Sequence, residues 1–292
     1  MMNRRDLIVK GGKLVAAASI LPSVSMAAEA GTKRFELALS QYSLRALLKD
    51  GSLKAIDFPA FTADTFGIKA IDLWEGGLPK DKLDDKAYLT QMKEKAAKAG
   101  TELYLLMTGA LESNPKRFEK SFNRLLPSIG RAQTLGCQFL RVFLKAHDLE
   151  SSVEAMKKLA DKAAEKNITL VIEPGSSALS SKGKFVTEVC KKVDHEHCKL
   201  MPDFGKLKNN VYEGTQAMLP YSASVSAKMH SFDDKGMQPD FDYDRLAKMI
   251  IDSKFKGFIA IEWEGRALKP VPGVNASKKL IINSFKKHGV TI

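Results

Sequence analysis

The sequence predicts an α/β fold, a single-domain (β/α)8 TIM barrel with eight parallel strands. From residue 35 onward, short apolar runs alternate with amphipathic helical segments, and such strict alternation favours a parallel sheet. Eight strand–helix units in roughly 260 residues is a typical barrel size. An open doubly wound sheet is the alternative, but its dinucleotide-binding form requires G-x-G-x-x-G after the first strand. The stretch Ser40-Gln41-Tyr42-Ser43 at that point contains no glycine.

The first half of the chain supplies four predicted strands and the helices between them. The first strand is predicted from its alternation of apolar and polar residues. Gly67, Gly100 and Gly136 follow the predicted helices at the position of a C-cap glycine. The predicted strands cover 35–43, 68–75, 102–107 and 138–143, and the predicted helices cover 53–66, 86–99 and 115–135.

The second half repeats the same alternation. The segment 151–166 has apolar residues at helical intervals, and Asp148 before it is the expected N-cap. The remaining predicted strands cover 168–172, 198–202, 225–229 and 258–261, and the helices cover 151–166, 184–193, 212–219, 242–252 and 276–287.

The first residues are typical of an export signal. Arg4 and Arg5 precede an apolar run at 14–24, and small residues follow it, which favours a signal of the twin-arginine type over residues 1–27. A Sec signal or a basic arm is the alternative. The apolar run is too short to span a membrane, so no stable membrane insertion is expected. We therefore expect a periplasmic protein with a linker at 28–34 and the barrel at 35–292.

Composition and charge narrow the range of functions. With 44% apolar and 27% charged residues, the chain has the composition of a globular domain. Its net charge is +12, but the lysines are interleaved with acids along predicted helices, which indicates solvated faces rather than a nucleic-acid surface. Three cysteines are present. Cys190 and Cys198 could pair in an oxidising compartment, and buried free thiols are the alternative.

Four apolar runs in the second half end at residues that can bind a metal: Glu173, Asp203, His230 and Glu262. They lie about one strand–helix unit apart, so in a barrel all four would meet at the C-terminal rim, where barrel enzymes place their chemistry. Oxygen ligands with one imidazole suit Mn²⁺, Mg²⁺ or Co²⁺, with Zn²⁺ as a further candidate. Glu264 could replace Glu262 as a ligand, because the two lie on one strand face.

A metal in such a site would act as a Lewis acid on a sugar or keto-sugar. It would stabilise the enediolate that forms when a proton leaves the carbon next to a carbonyl group. Glu173 and Glu262 arrive from different strands, so one could remove the proton and the other return it. This chemistry would epimerise a sugar or interconvert an aldose and a ketose. With a leaving group on the adjacent carbon, the same abstraction would give elimination.

The strings VIEPG, MPDFG, SAKMHSFDDKG and GFIAIEWEG, with SQYSLR and GIKAIDLWE before them, resemble the sugar phosphate isomerase/epimerase family. These are the xylose-isomerase-like barrels that include tagatose epimerases and hydroxypyruvate isomerases. The resemblance implies that the four residues above are metal ligands and that the two glutamates are the acid/base pair. The chain departs from the family at Lys206, where the epimerases commonly carry histidine, and at Pro174, where many members carry asparagine.

Seven further residues are candidates for substrate binding. Asp72 and Glu75 either contact the substrate or form structural pairs. The two tryptophans either stack on a sugar ring or pack in the core. Lys206 either binds an anionic or oxidised sugar or is solvated. Arg141 and Lys228, on predicted strands, are weaker candidates for an anion site. The seven are Asp72, Trp74, Glu75, Arg141, Lys206, Lys228 and Trp263.

The leading hypothesis is therefore a periplasmic, divalent-metal-dependent isomerase or epimerase that acts on a small sugar or keto-sugar. The alternatives are a lyase on an oxidised 3-keto-glycoside, which would use the same site, and a sugar-binding barrel without catalysis. A nuclease resembling endonuclease IV is disfavoured, since its trinuclear zinc site requires several histidines and the chain has five in all. The sequence leaves a homo-oligomer open.

Overall fold

The computed structural model describes residues 34–292. The predicted signal at 1–27 and all but the last residue of the predicted linker lie outside the described residues. Within the described part, one eight-stranded parallel sheet has the strand order β6-β5-β4-β3-β2-β1-β8-β7. The strands are β1 Phe35–Ser40, β2 Ala70–Trp74, β3 Glu102–Glu112, β4 Phe139–Lys145, β5 Thr169–Glu173, β6 Cys198–Leu200, β7 Ser224–Met229 and β8 Gly257–Trp263.

The two outer strands of this order approach each other and curl the sheet toward a closed barrel. Leu200 and Asp203 form parallel bridges with Ser222 and Ser226. The backbone N–H of Ser226 donates to the carbonyl of Pro202 at 2.9 Å. The segment after β6 therefore lies beside β7, which brings the ends of all eight strands into one mouth.

Helices alternate with the strands as the sequence predicts. None of the described helices is long and apolar enough to cross a membrane. The helices are α1 Arg45–Asp50, α2 Phe58–Phe66, α3 Lys86–Lys98, α4 Pro115–Leu135, α5 Leu149–Ala164, α6 Gly183–Val193, α7 Phe204–Leu207, α8 Val211–Met218, α9 Tyr243–Asp252 and α10 Pro270–Lys287.

Two apolar clusters follow from the alternation of side chains along the strands. The larger cluster fills the space between the barrel and the helices and includes Val225 and Met229 of β7. The smaller one fills the barrel interior, with Ala38, Ala70 and Ala260 among its buried members. Inward-facing positions nearer the C-terminal ends of the strands carry polar and charged groups instead.

Several elements differ from the sequence-based boundaries, among them β3 and α10. Strand β3 extends to Glu112, past a register shift with β4 between Met107 and Ala110, whereas the apolar pattern ends at 107. Helix α10 begins at Pro270, not at 276. Proline fits the first helical turn, where its missing N–H has no helical partner, so the prolines start this helix before the predicted position.

All three cysteines are free and buried. Sγ of Cys190 lies 3.5 Å from the backbone carbonyl oxygen of Cys198. Cys190 and Cys198 therefore lie next to each other. Of the two alternatives, disulfide or free thiols, the structure has the free thiols.

Candidate functional site

A layer of charged side chains crosses the barrel interior at the C-terminal ends of its strands. Each member is at most 6% exposed. Burial of charge is costly unless each group is paired, so the pairing within this layer decides what it can do. Its members are Asp72 of β2, Arg141 of β4, Glu173 of β5, Asp203 after β6, Lys228 of β7 and Glu262 of β8.

Lys228 lies at the centre of one half of this layer. Its Nζ lies 3.0 Å from Oδ2 of Asp203, 3.2 Å from Oε1 of Glu262 and 2.9 Å from Oε1 of Glu264. An ammonium has three N–H groups, and three carboxylates form ion pairs with it here. The side chains of Asp203 and Glu262 are 0% and 7% exposed, whereas that of Glu264 is 23% exposed.

The register of the strands produces this arrangement. Lys228 pairs with Glu262 across β7 and β8, and Asp203 pairs with Ser226. The hydroxyl of Ser226 lies 2.9 Å from Oδ2 of Asp203 and 2.6 Å from Oε2 of Glu262. Because a hydroxyl has one proton, it donates to only one of the two carboxylates at a time. On the other side, the hydroxyl of Tyr243 donates to the carbonyl of Lys228 at 2.9 Å.

The second half of the layer is an ion pair between Arg141 and Glu173. Nε of Arg141 lies 2.8 Å from Oε2 of Glu173; the Nε–H has no hydrogen-bond partner, so this contact is an ion pair rather than a directed hydrogen bond. Nη1 of Arg141 donates to the carbonyl of Thr108. That carbonyl lies at the register shift of β3, which turns it toward the guanidinium.

The pKa values of Glu173 and Glu262 move in opposite directions. Burial raises the pKa of Glu173 well above its usual range, against the opposing charge of Arg141, and the charges of Asp203 and Glu262 add to the rise. Burial would also raise the pKa of Glu262, but the Lys228 ammonium and the Ser226 hydroxyl outweigh it and lower that pKa to about 2. The two glutamates therefore differ in proton affinity.

Asp72 belongs to the same layer but has no cation in direct contact. Burial raises the pKa of its carboxyl to about 8, with a further contribution from the charge of Glu262. Its Oδ1 accepts a hydrogen bond from the backbone N–H of Gln41 at 3.2 Å. Gln41 is itself fully buried, and its Oε1 accepts from the backbone N–H of Trp74.

The structure brings three of the four predicted metal ligands into this layer and leaves the fourth outside it. Glu173, Asp203 and Glu262 are buried, whereas His230 is exposed and follows the last residue of β7. Within residues 34–292, no three His, Cys, Asp or Glu side chains are grouped so that they could hold a metal ion. The oxygens around Lys228 lie at ammonium distances of about 3 Å, whereas oxygen ligands lie about 2.0–2.2 Å from Mg²⁺ or Zn²⁺. The donor set as it stands therefore does not fit a divalent metal, and the predicted metal centre stays a prediction.

Trp263 corrects one expectation for substrate binding. It is 1% exposed and belongs to the cluster between barrel and helices. Its ring stacks on Phe232 with 5.3 Å between centroids, and a Cβ at Gly273 of α10 would lie 2.2 Å from its Nε1. Trp263 points outward because residues on either side of Glu262 face away from the barrel interior. It therefore packs in the core and does not reach a sugar in the mouth.

Trp74 is the last residue of β2, Glu75 follows it, and the two make different contacts. Trp74 is partly exposed, packs edge-on against Tyr42 and lines a surface cavity of about 1010 Å³ beside α1. Glu75 lies 2.7 Å from Nη1 of Arg131 and accepts a hydrogen bond from the hydroxyl of Thr108. Of the two readings offered for Glu75, the contacts match the structural pair.

Lys206 contributes its backbone to the charged layer. Its N–H donates to Oδ1 of Asp203 at 2.7 Å. Its side chain crosses Gly175, where an added Cβ would lie 2.9 Å from Lys206 carbons, and its Nζ lies 5.7 Å from the centre of the Phe143 ring. The guanidinium of Arg141 lies 4.1 Å from the same ring. Two cations therefore lie near one aromatic side chain at this part of the mouth.

Sequence reasoning missed Ser226 and Gln41. Ser226 could have been found from the alternation along β7, which places residues 224, 226 and 228 on one face of the strand. The Ser224 hydroxyl lies 3.2 Å from that of Tyr104 in the interior, and the other two positions lie in the charged layer. Gln41 has no comparable signal, since it lies in a 3-10 turn after β1.

A parallel barrel with buried carboxylates and cations at the C-terminal ends of its strands has the architecture of the (β/α)8 enzymes. Residues 60–283 match the model of the xylose isomerase-like TIM barrel family. The chain therefore belongs to that family. No curated protein matches the chain.

Solved structures share the fold at low sequence identity. The IolI protein with a bound zinc atom has a TM-score of 0.68 and 13% identity, covering 86% of this chain and 98% of its own. L-ribulose 3-epimerase has a TM-score of 0.68 and 12% identity, covering 86% of this chain and 94% of its own. The probable 3-DHS dehydratase AsbF from Bacillus anthracis has a TM-score of 0.63 and 17% identity, covering 84% of this chain and 97% of its own. The chain spans 45% of a xylose isomerase-like barrel fused to a 4-hydroxyphenylpyruvate dioxygenase.

Proposed function

We propose that this chain is an enzyme of the sugar isomerase and epimerase type, which moves a proton at a carbon next to a carbonyl group. The substrate class is a small sugar or keto-sugar. The observation that carries the proposal is the placement of Glu173 and Glu262, two buried carboxylates at the ends of β5 and β8, in one layer with two cations. Structures of sugar epimerases with the same fold support the substrate class.

The proposed step uses only groups of the chain. One glutamate takes the proton from the carbon, and the electron pair moves onto the carbonyl oxygen to give an enediolate. The other glutamate returns a proton to the opposite face of the same carbon for epimerisation. For isomerisation it returns the proton to the neighbouring carbon, and the proton of the adjacent hydroxyl passes to the former carbonyl oxygen. Positive charge at Lys228 and Arg141 would stabilise the negative oxygen that develops.

The sequence also predicts a divalent metal for this step, and the zinc-containing IolI structure supports a metal in proteins of this fold. A metal would polarise the carbonyl group of the substrate. In the structure of this chain, the Lys228 ammonium lies among the carboxylates that would have to bind it. We therefore assign the proton transfer to the two glutamates and derive no step through a metal.

Deuterium exchange tests the proposal. The full-length protein is incubated in deuterated water with a panel of aldoses, ketoses and 3-keto-glycosides, and incorporation of deuterium is followed by NMR and mass spectrometry. We expect incorporation at one carbon next to a carbonyl group and its loss in Glu173→Gln and Glu262→Gln. Glu213→Gln is the matched control, because Glu213 is exposed and pairs with Lys184 on the surface. Equal incorporation in all four proteins would refute the assignment.

Elimination at the same site is the second candidate. The fold of a probable dehydratase, AsbF, supports it, and it needs the same proton abstraction with a leaving group on the adjacent carbon. An unsaturated product from a 3-keto-glycoside would identify it. A third outcome, sugar binding without exchange, would fit the observation that both glutamates already have cationic partners.

A further inference from the structure

We propose that the ammonium of Lys228 takes the place of a divalent metal in this barrel, so that the chain works as a metal-independent member of its family. The inference deepens the proposed function, on which the catalytic part of it rests. The rest of the inference does not depend on catalysis: it states that the Lys228 ammonium, and not a metal ion, occupies the space between Asp203, Glu262 and Glu264.

The distances around Nζ of Lys228 favour an ammonium over a metal. Three carboxylate oxygens from three residues lie 2.9 to 3.2 Å from this one atom. These are ion-pair distances for an ammonium, and a metal at the same point would require each oxygen to move inward by roughly 1 Å. The Ser226 hydroxyl lies between Asp203 and Glu262, 2.9 and 2.6 Å from their oxygens, and donates to one of them at a time.

The position of Lys228 in the fold gives a second, independent reason. β7 presents two inward residues to this layer, and they are a hydroxyl and an ammonium, Ser226 and Lys228. The imidazole that sequence patterns offer as a ligand, His230, lies beyond the end of the strand and is exposed. The strand itself therefore brings a positive charge into the layer, while the His230 imidazole lies outside the layer, beside Gly205.

The three partners of Lys228 differ in how easily they can leave. Asp203 and Glu262 are buried and lie in contact with the Ser226 hydroxyl, whereas Glu264 is 23% exposed and lies at the mouth. A substrate carbonyl oxygen could take the place of Glu264 and accept a hydrogen bond from the ammonium of Lys228. When a glutamate then takes the carbon-bound proton, the electron pair ends on that oxygen, and the ammonium stabilises the charge without giving up its own proton.

Metal binding provides the test, because it requires no knowledge of the substrate. The full-length wild-type protein is purified without chelator, its metal content is measured, and Mn²⁺ and Zn²⁺ are titrated into it by calorimetry. The same titrations are made with Lys228→Ser and with Lys248→Ser, a matched control on the surface of α9. Lys228→Gln serves as a second variant if Lys228→Ser does not fold.

We expect wild type and Lys248→Ser to contain far less than one metal ion per chain and to bind neither ion in the mouth. Removal of the Lys228 charge leaves three carboxylates without their cation, so Lys228→Ser should bind Mn²⁺ or Zn²⁺ at least about tenfold more tightly. Adding Asp203→Asn to the Lys228→Ser protein should abolish this gain in metal affinity. One tightly bound metal ion per wild-type chain would overturn the inference, as would a folded variant that binds no more tightly than wild type. Absence of deuterium exchange in a metal-free wild type would refute the proposed function alone.

Discussion

Nζ of Lys228 lies 3.0 Å from Oδ2 of Asp203, with side chains that are 3% and 0% exposed. This pair joins the segment after β6 to β7, the point at which the sheet curls back on itself. Burial of both charges is tolerated because each has further partners: the ammonium contacts Glu262 and Glu264, and the carboxylate accepts a hydrogen bond from the backbone N–H of Lys206. The same contacts thus stabilise the barrel and define its mouth.

Loss of this cation should destabilise the fold. In Lys228→Met, the buried Asp203 and Glu262 carboxylates lose their compensating charge, which we expect to lower the free energy of unfolding by about 3–5 kcal/mol. Urea denaturation of both proteins measures the change. Lys248→Met, which removes an exposed partner of Asp252, should cost no more than about 1 kcal/mol. A similar small cost for Lys228→Met would show that the cluster does not need its ammonium.

Arg141 and Glu173 should be energetically coupled. Each of Arg141→Met and Glu173→Gln leaves a buried partner, and we expect a cost of about 3–5 kcal/mol for each. In the double variant no unpaired charge remains, so its cost should fall below the sum of the two by about 0.5–3 kcal/mol. The exposed Lys158 and Glu154 pair provides a control cycle, with an expected coupling of about 0.3–0.5 kcal/mol. Additive costs at Arg141 and Glu173 would contradict the ion pair.

The buried carboxyl of Asp72 should make stability depend on pH. Burial raises its folded pKa to about 8 from the usual 3.8 of an aspartate, so between these values the folded chain holds a proton that the unfolded chain has released. The contribution of Asp72 to stability is therefore fully present below about pH 4 and lost as pH rises through about 8. Asp72→Asn cannot ionise and should show a smaller decline over this range in urea denaturation. Parallel curves for the two proteins would refute the raised pKa.

A close approach of two helices requires glycine at position 183. A Cβ there would lie 2.4 Å from Cα of Gly214 in α8, so Gly183→Ala must push α6 and α8 apart, at an expected cost of about 1–3 kcal/mol. At Gly130, within α4, an added Cβ meets nothing within 4 Å. Gly130→Ala should therefore stabilise the protein by about 0.5–1 kcal/mol through helix propensity. Thermal unfolding of Gly183→Ala and Gly130→Ala measures both changes in stability. Equal changes would contradict the close contact between Gly183 and Gly214.

The barrel could be predicted from the sequence because its signals are local. Gly67 and Gly136 end helices in left-handed conformations, and the apolar runs mark each strand. The charged layer was predicted only in part, since the same runs place Glu173, Asp203 and Glu262 at strand ends but do not say which side chains pair there. β7 ends at Met229, as predicted, and alternation along it turns Lys228 inward with Ser226, so an ammonium lies among the carboxylates. The contacts of Ser226 depend on the register with neighbouring strands, which no local pattern specifies.

The most direct test of the account is deuterium exchange with protein that has been treated with a strong chelator and then freed of it. If Glu173 and Glu262 transfer the proton with Lys228 as the cation, the chelator-treated wild type should still incorporate deuterium next to the carbonyl group of its sugar substrate. Chelator-treated Glu173→Gln should not. Exchange that disappears from the wild type on chelation and returns only with added Mn²⁺, Mg²⁺, Co²⁺ or Zn²⁺ would contradict the account.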